Sequence, residues 1–464
     1  MKTIIKNGYV VNSEGVLETD ILIQEGKILA MGKSLDESDA LIIDAKEKLV
    51  LPGPIDVHTH FDLQAGKRRA VDDFYQGTVA AACGGTTSIV DHMAFGPKGC
   101  KLDHQLMEYH GLADGKAVID YGFHGVLQHV DETVLSDMEN LMKEGLPSFK
   151  AYMTYDDRLS DDEILRVMES VRKTGGVLTV HAENHEVIQY LRKKFVEEGN
   201  TDAIYHAKSR PAHTEAEAVG RLMHLSALAG YPNLYLVHVS TKESLKEIRK
   251  AMENGVKNVF VETCTQYLTL TEDEYLRPDH EGLKYVMSPP LRTKEDCDAL
   301  WEGIEEGLVK VVGTDHCPFF FEDKVNDGAK DFTRCPNGGP GVEERVRLLF
   351  SEGVMKKRIS LKRFVEVSSY NPARIMGLYP QKGSLMPGAD ADLIIIDSAK
   401  MGIIKEENLH GNAGYSLYED FAYQGEIELV MQRGNILVRD GQFLGKRGDG
   451  KFINRLIPEN LTNI

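Results

Sequence analysis

The chain has 464 residues, a length that predicts about three ordinary domains unless one large α/β barrel takes up most of it. Its 54 basic and 72 acidic residues give a net charge of −18, which repels nucleic-acid phosphates and anionic lipid surfaces. With 42% hydrophobic and 27% charged residues, the chain can bury a sizeable core, so a globular protein is favoured over a disordered one. No nucleic-acid or membrane partner is expected.

The start of the chain, MKTIIKNGYVV, alternates apolar and polar residues and turns at Asn-Gly, which predicts a strand rather than a signal peptide. No apolar stretch free of charges reaches the roughly 18 residues of a transmembrane helix. The six cysteines form no CxxC pair, which is typical of reduced thiols, so a cytoplasmic protein is expected. Cys317, next to Asp315 and His316, is a minor candidate for a nucleophile, because nothing near it resembles a thiol-protease arrangement.

The two ends of the chain share a pattern of short alternating strands separated by glycine turns. It is present in TIIKNGYVV and ILIQEGKILAMG near the start, and in ADLIIID and ILVRDGQFLG near the end. We therefore expect residues 1–52 and 376–464 to pair as one small discontinuous β-sandwich domain. Its last part, about residues 446–464, is a polar arm with no predicted element.

Residues 53–375 alternate short β-branched runs with longer segments of helical period, which predicts parallel strands joined by crossover helices. Segments such as DDEILRVMESVRKTG and TKESLKEIRKAMENG begin with Asp or Thr caps and end at glycine, as helices do. The strand runs are GPIDVHTH, TTSIVDH, VIDYGFHGVL, PSFKAYM, GVLTVHAE, NLYLVHVS, NVFVETC and VKVVGTDH. Eight runs spaced about 37 residues apart predict an α/β fold, a (β/α)8 TIM-like barrel.

Polar side chains at the carboxyl ends of barrel strands are the candidates for function, because those ends surround the active site. The residues at these ends are His58 and His60 in run one, Lys150 in run four, His181 in run five, His238 in run six and Asp315 in run eight. A single strand-end histidine is more often a hydrogen-bonded polar residue than a ligand, and a lone aspartate often caps a helix. Imidazoles from several strands that meet at one face, including an HxH pair, instead indicate a metal centre.

Lys150 does not fit a simple ligand set, because an ammonium group only donates hydrogen bonds. It could extend its charge to solvent or pair with a carboxylate. Alternatively, a neutral lysine can react with carbon dioxide to form a carbamate, an anionic ligand that two adjacent cations can share. The residues alone leave these alternatives open.

Several motifs resemble the amidohydrolase superfamily and, within it, the dihydropyrimidinase and hydantoinase group: GPIDVHTH, SFKAYMTY, LTVHAEN, LVHVS, SPPLR, GTDHCPF and CPNGGPGVEER. The resemblance covers about residues 50–395 and is strongest to the D-hydantoinase and phenylhydantoinase branch, through AACGGTTSIVDHMAFGPKGC and WEGIEEGLVKVVGTDHC. It implies a metal-dependent hydrolase that opens cyclic amides of hydantoins or dihydropyrimidines to N-carbamoyl amino acids. It also implies a homotetramer.

The same resemblance implies a set of site residues. Two divalent ions, most often zinc, would be held by His58, His60, Lys150 as N6-carboxylysine, His181, His238 and Asp315. The substrate would contact Tyr155, Ser288 and Asn337. In such a centre two cations lower the pKa of a bridging water, Asp315 moves its proton to the departing ring nitrogen, and Tyr155 stabilises the oxyanion.

Three alternatives stay open beside this interpretation. Dihydroorotases usually have an arginine two positions after HxH, where this chain has Asp62, so an anionic orotate-type substrate is disfavoured. Allantoinases share the ligand set and differ only in the lining of the pocket. Non-catalytic relatives, such as the collapsin response mediators, generally lack the ligands that are complete here, and a mononuclear deaminase would not need Lys150.

Two features of the lining bear on the exocyclic group of the substrate. Lys67, Arg68 and Arg69 form a basic triplet that is either a solvated loop or a rim that favours a polar or acidic group. Tyr152 is compatible with an aromatic substituent.

Overall fold

The structure is a computed structural model that describes residues 2–459, 461 and 464. None of the helices in those ranges combines the length and the apolar character that crossing a bilayer requires.

Seven short strands precede the barrel: β1 (Lys2–Lys6), β2 (Tyr9–Asn12), β3 (Gly15–Glu18), β4 (Asp20–Gln24), β5 (Lys27–Gly32), β6 (Ala40–Asp44) and β7 (Leu49–Pro52). Four of them form one sheet in the order β5-β4-β1-β6. The two central strands, β1 and β4, are buried along most of their length through Ile and Leu residues.

Eight parallel strands form the barrel, and a small hairpin, β9–β10, follows the first of them. The barrel strands are β8 (Ile55–Thr59), β11 (Ser88–His92), β12 (Asp120–Val126), β13 (Ser148–Tyr152), β14 (Val177–His181), β15 (Asn233–Leu236), β16 (Val259–Cys264) and β17 (Val309–Gly313). The hairpin strands are β9 (Gln64–Ala65) and β10 (Arg68–Arg69). The sheet order runs β17-β16-β15-β14-β13-β12-β11-β8. Each barrel strand lies within one of the eight predicted runs, so the predicted barrel is confirmed.

The first and last barrel strands meet just beyond their carboxyl ends. The Asp315 amide donates to the His58 carbonyl at 2.9 Å, and the His60 amide donates to the His316 carbonyl at 2.9 Å. Buried Arg345 supports the same seam, because its guanidinium donates to the carbonyls of Ile55 and Val312. These bonds close the sheet into a barrel.

Helices connect the strands and cover the outside of the barrel. The α-helices are α1 (Phe74–Cys83), α2 (Leu102–Ala113), α3 (Glu132–Lys143), α4 (Asp161–Thr174), α5 (His185–Glu197), α6 (Ile204–Lys208), α7 (Ala212–Leu228), α8 (Lys242–Glu253), α9 (Thr265–Thr269), α10 (Lys294–Glu306), α11 (Phe321–Gly328), α12 (Arg345–Leu348), α13 (Leu361–Val365) and α14 (Asn371–Ile375). Short 3-10 helices lie at Glu272–Leu276, Glu281–Tyr285, Phe332–Arg334 and Glu406–Asn408, and π-helical turns at Leu349–Met355 and Glu366–Tyr370.

The two quoted helical segments behave nearly as their sequences predict. Helix α4 has the capping box of Ser160 and Glu163, so the cap is the serine before the aspartates, and it ends at Gly175 with φ of 81°. Helix α8 is capped by the Thr241 side chain, as predicted. It ends at Asn254, one residue before the predicted glycine.

The end of the chain returns to the strands of its start. Strands β18 (Leu393–Ile403), β19 (Ala422–Gln432), β20 (Asn435–Arg439) and β21 (Gln442–Phe443) extend a sheet in the order β21-β20-β19-β18-β7-β2-β3. One apolar cluster joins this sheet to the four-stranded one, with Ile5, Ile21 and Ile23 facing Leu393 and Leu429. We propose that these sheets form the discontinuous domain of residues 1–52 and 376–464.

The segment predicted as a polar arm packs against the end of the barrel opposite the strand carboxyl ends. The Ile453 amide donates to the Tyr121 carbonyl at 2.8 Å, and the Arg455 amide to the Gly145 carbonyl at 3.1 Å. The side chains of Ile453 and Arg455 are buried, and Ile453 joins the apolar cluster inside the barrel. The polar composition of this segment gave no sign that Ile453 and Arg455 are buried.

A buried charge cluster ties the barrel to the segment that precedes β18. The Lys382 ammonium donates to Asp120 at 2.7 Å, Asp390 at 3.0 Å and Asp392 at 2.6 Å, and all four side chains are buried. Burial opposes its charge, but the three carboxylates outweigh that effect and raise the pKa of Lys382. The lysine is therefore the cation that all three carboxylates share, while Asp120 also pairs with Arg433 and Asp390 with Lys27.

Replacing Lys382 with methionine should lower the free energy of unfolding by about 3–5 kcal/mol at neutral pH, because buried Asp392 loses its ion pair while Asp120 and Asp390 keep only those with Arg433 and Lys27. The deficit should shrink as the pH falls, since protonation discharges the uncompensated carboxylates. Urea unfolding at several pH values measures both effects. The matched variant Lys173→Met removes an exposed pair with Glu139 and should change stability by less than about 0.5 kcal/mol. Equal losses in the two variants would contradict the prediction.

Candidate metal centre

The structure brings the six predicted ligands together at the end of the barrel where the strands end. They come from five strands or the residues that follow them: His58 on β8 and His60 just after it, Lys150 on β13, His181 on β14, His238 after β15 and Asp315 after β17. Five of them are buried, and the Asp315 side chain is 15% exposed. Residues far apart in the chain therefore share one site.

Asp315 lies between the two histidines of the first strand. Its Oδ1 is 3.2 Å from His58 Nε2 and 3.0 Å from His60 Nε2. Burial would raise the pKa of Asp315, but His58 and His60 outweigh it and hold the pKa well below the usual range. Asp315 is thus an anion between two imidazoles.

His238 connects this group to His181. The His238 and His58 rings are stacked with centroids 5.3 Å apart, and His238 Nε2 is 2.9 Å from His181 Nδ1. Ligand atoms of His58, His238 and Asp315 all lie within 4.8 Å of one another. Such spacing is close to that of ligands around one cation.

Lys150 lies beside these residues with its ammonium 5.1 Å from the Tyr152 ring centre. Burial lowers the pKa of Lys150 to about 8, although Asp315 and Glu262 oppose the shift. Among the residues that the structure describes, none forms a hydrogen bond or ion pair with its Nζ at ordinary distances. The lysine is therefore an amine that loses its proton easily.

Two glutamates that sequence reasoning missed hold histidines in place. Glu262 on β16 accepts from His58 Nδ1 at 2.6 Å and from the Tyr235 hydroxyl at 2.8 Å. Glu183 lies 2.7 Å from His181 Nε2 and 2.6 Å from Arg210. These contacts leave His58 Nε2 and His181 Nδ1 directed at the centre, the arrangement that orients imidazole ligands of metals.

The sequence did carry a signal for these glutamates. Glu262 interrupts a run of otherwise apolar and small residues in VFVETC, and Glu183 follows His181 by two positions. A carboxylate inside a fully buried strand requires a partner. Burial would raise the pKa of Glu183, but Arg210 and His181 outweigh it and hold the pKa at about 2.

His92, at the end of β11, was also overlooked. Its ring lies 4.4 Å from that of His58, 5.0 Å from that of His60 and 4.3 Å from that of His124. Neither ring nitrogen has a hydrogen-bond partner among the described residues. Burial lowers the pKa of His92 well below the usual value, and ligand atoms of His58, His60 and His92 lie within 4.8 Å of one another, so this neutral imidazole is a further candidate ligand.

Three of the site residues have left-handed backbone conformations: Tyr155 with φ of 75°, His238 with 39° and Asp315 with 55°. Such conformations cost about 1–3 kcal/mol for residues other than glycine. The surrounding barrel stabilises these three conformations. At each position the chain turns away from the direction of the preceding strand.

The three predicted substrate contacts also meet. Ser288 Oγ donates to Asn337 Oδ1 at 3.0 Å. Ser288 lies close enough to the Tyr155 hydroxyl to affect it, and burial raises the pKa of Tyr155 to about 12. The phenol therefore stays protonated and can donate a hydrogen bond.

A row of aromatic rings leads from the centre to the surface. The Tyr155 ring lies 5.3 Å from that of His181, Tyr152 lies 5.8 Å from Tyr155, and Phe95 lies 5.3 Å from Tyr152. Phe95 is 36% exposed. One wall of the mouth is therefore apolar.

Two residues of the basic triplet, Arg68 and Arg69, form ion pairs with acidic neighbours. Arg68 pairs with Asp323 at 2.6 Å and Asp327 at 3.0 Å, and Arg69 pairs with Asp62 at 3.1 Å. Both arginines therefore anchor the β9–β10 hairpin, which favours a structural loop over a rim for acidic groups.

Burial raises the pKa of the Cys317 thiol, which makes a nucleophilic thiolate there scarce.

The residues fit a divalent metal centre. His58 Nε2 is buried with no hydrogen-bond partner among the described residues, and two imidazole nitrogens face one carboxylate oxygen. A cation between these atoms would satisfy all three. Four imidazoles and a carboxylate exceed what one ion needs, and this donor set suits zinc, manganese or cobalt.

The chain matches known proteins over most of its length. The model of the amidohydrolase family matches residues 49–437. A D-phenylhydantoinase of Escherichia coli O1:K1 / APEC is 48% identical over 456 residues, 98% of each chain.

Solved structures match as closely. The dihydropyrimidinase from Brevibacillus agri NCHU1002 superposes with a TM-score of 0.97 at 42% identity, covering 99% of this chain and 100% of that one. The D-hydantoinase from Bacillus sp. AR9 gives a TM-score of 0.95 at 43% identity, covering 98% and 99%. This chain belongs to the amidohydrolase family. Within that family it falls in the group of hydantoinases and dihydropyrimidinases.

Replacing Glu262 with glutamine should weaken metal binding about 10- to 100-fold, because His58 loses the carboxylate that orients it. Competition with a chelator, followed by elemental analysis, measures the affinity. The control Glu253→Gln changes an exposed carboxylate at the end of helix α8. This variant should bind metal like the unchanged protein. Unaltered affinity in the Glu262 variant would refute the role of this residue.

Proposed function

We propose that this chain hydrolyses the ring amide bond of 5-substituted hydantoins, aryl-substituted ones included, or of dihydropyrimidines, and releases N-carbamoyl amino acids. Two divalent metal ions per subunit, with zinc as the first candidate, are part of the proposal. The observation that carries it is the meeting of His58, His60, His181, His238 and Asp315 around Lys150 at the barrel mouth. The full-length similarity to a D-phenylhydantoinase supports it.

When bound, the two cations would make a water molecule acidic enough to supply hydroxide near neutral pH. Asp315 is placed to accept the proton of the attacking water and to pass it to the ring nitrogen. The oxygen–carbon bond forms first, and the ring carbon–nitrogen bond then breaks as that nitrogen takes the proton. Tyr155 donates a hydrogen bond to the oxyanion, and Ser288 and Asn337 orient the ring.

We propose that Lys150 is carboxylated. The amine adds to carbon dioxide, a nitrogen–carbon bond forms, and one proton is released. Its burial, its pKa of about 8 and its place between the histidines support this role. The resulting carbamate would join the ligands as a bridging anion.

Reconstitution with zinc and carbon-13 bicarbonate should produce one carbamate carbon signal per chain in the NMR spectrum, and Lys150→Met should abolish it. Lys324→Met is the matched control, because Lys324 is also buried with a pKa lowered by burial to about 8. Its ammonium instead donates to the carbonyl of Val286 at 2.9 Å. A signal that survives in the Lys150 variant would exclude carboxylation at this residue.

The aromatic row favours a substrate with an aryl group. A phenyl ring at position 5 of a hydantoin could pack against Tyr152 and Phe95, and such ring pairs contribute about 0.5–1.5 kcal/mol beyond burial. The geometry therefore favours phenylhydantoin-like rings over unsubstituted ones.

The function is tested by measuring kcat/KM for hydantoin, 5-phenylhydantoin, dihydrouracil and allantoin after reconstitution with metal and bicarbonate. We expect 5-phenylhydantoin to be preferred, and Phe95→Ala to lower its preference over hydantoin about tenfold. Tyr9→Ala, which removes a ring of similar exposure on β2, should leave the ratio unchanged.

A preference for allantoin would favour the allantoinase alternative. Loss of all four activities in a metal-loaded protein would favour a non-catalytic relative. The homotetramer and the cytoplasmic location expected from the sequence stay predictions.

A further inference from the structure

A second group of ligating side chains lies away from the barrel mouth. Cys83, Glu343 and His410 each offer one ligand atom, and these atoms lie within 4.8 Å of one another. His410 Nδ1 is 2.8 Å from Glu343 Oε1, and the His410 amide donates to Glu343 Oε2 at 2.7 Å. None of the three belongs to the predicted catalytic set.

These residues come from three separate parts of the fold. Cys83 ends helix α1, Glu343 precedes helix α12, and His410 lies on the segment between β18 and β19. Cys83 and the Glu343 side chain are each 7% exposed, and the His410 side chain is 32% exposed. The group is thus largely shielded, with an approach from the histidine side.

A cavity of about 390 Å³ gives access to the three side chains. Its walls combine barrel residues such as Arg347 with Lys405 and Tyr423 from the segments around β19. It has room for water molecules that could complete a coordination shell. Tetrahedral zinc separates its ligand atoms by about 3.5 Å, so atoms that lie within 4.8 Å of one another would need to approach by up to about 1.3 Å.

The nearest positive charge is already compensated. Arg347 lies close enough to affect Cys83 and His410, but its guanidinium pairs with Glu426 at 3.2 Å and stacks over the Tyr423 ring. Glu343 supplies a negative charge between the other two ligands. The local field is therefore compatible with a divalent cation.

We propose that Cys83, Glu343 and His410 form a second metal site, which binds one thiophilic divalent cation of the zinc class. A thiol and an imidazole select zinc, cobalt or cadmium over magnesium or calcium. Binding forms one metal–sulfur, one metal–oxygen and one metal–nitrogen bond and displaces the proton of the Cys83 thiol. A protonated His410 would release its proton as well.

Occupation of this site would connect three segments near the catalytic residues. Just before Glu343 in the chain, the amides of Gly341 and Val342 donate to His316 Nδ1 at 3.2 Å. Beyond His410, the Asn412 amide donates to Asp72, whose other oxygen is 2.9 Å from His316 Nε2. A cation here would therefore brace the segment next to Asp315.

The test uses the full-length holoenzyme with its catalytic centre loaded with zinc, to which cobalt(II) is then added. No predicted catalytic ligand is a cysteine, so thiolate-to-cobalt charge-transfer absorption reports on a cysteine site outside that ligand set, and the Cys83→Ser variant assigns it among the six thiols. We expect this absorption to saturate at one added cobalt per chain, with one additional metal by elemental analysis. Cys83→Ser should abolish the absorption and the extra metal.

Two further variants separate the site from a folding effect. His410→Ala changes a partly exposed residue on a loop and should weaken cobalt binding at least tenfold. Cys100→Ser is the matched thiol control and should leave the absorption unchanged. Absence of the absorption in the unchanged protein, or its persistence in Cys83→Ser, would overturn the proposal and leave the His410–Glu343 contact as a tie between segments.

Discussion

The candidate site depends on how the barrel closes. Two main-chain hydrogen bonds join residues 58–60 to residues 315–316, and without them the two ends of the strand order would be separate sheet edges. The same bonds place Asp315 between His58 and His60. Arg345 fixes the seam from behind by donating to carbonyls of both strands. The residues that close the barrel are therefore also the residues that form the site.

The site combines rigid support with local strain. Glu262 and Glu183 fix two imidazoles through short hydrogen bonds, so the ligand nitrogens are positioned before any cation arrives. His238 and Asp315 have left-handed backbones in the segments that follow β15 and β17. The free energy for this arrangement comes from the packed barrel, whose interior cluster includes Ile453 from the end of the chain.

The two ends of the chain serve the barrel in different ways. Strand β7 leads directly into β8 and pairs with β18, so the seven-stranded sheet ties the start of the first barrel strand to the returning chain. Lys382 adds an electrostatic tie through Asp120 on β12. The segment between β18 and β19 reaches back to Asp72, which holds His316 beside the centre. The side sheets thus support the residues behind the active site.

The sequence by itself determined the eight strands, because alternation and helix caps are local patterns, and it determined the ligand types, because histidines stand at strand ends. Only the tertiary structure decided which carboxylates orient those histidines, since Glu262 lies 204 positions from His58. It also decided the anchoring of Arg455, the Lys382 cluster and the Cys83–Glu343–His410 group. The reason is physical: periodicity encodes which face of an element is buried, whereas partners far apart in the chain are set by barrel closure and sheet pairing.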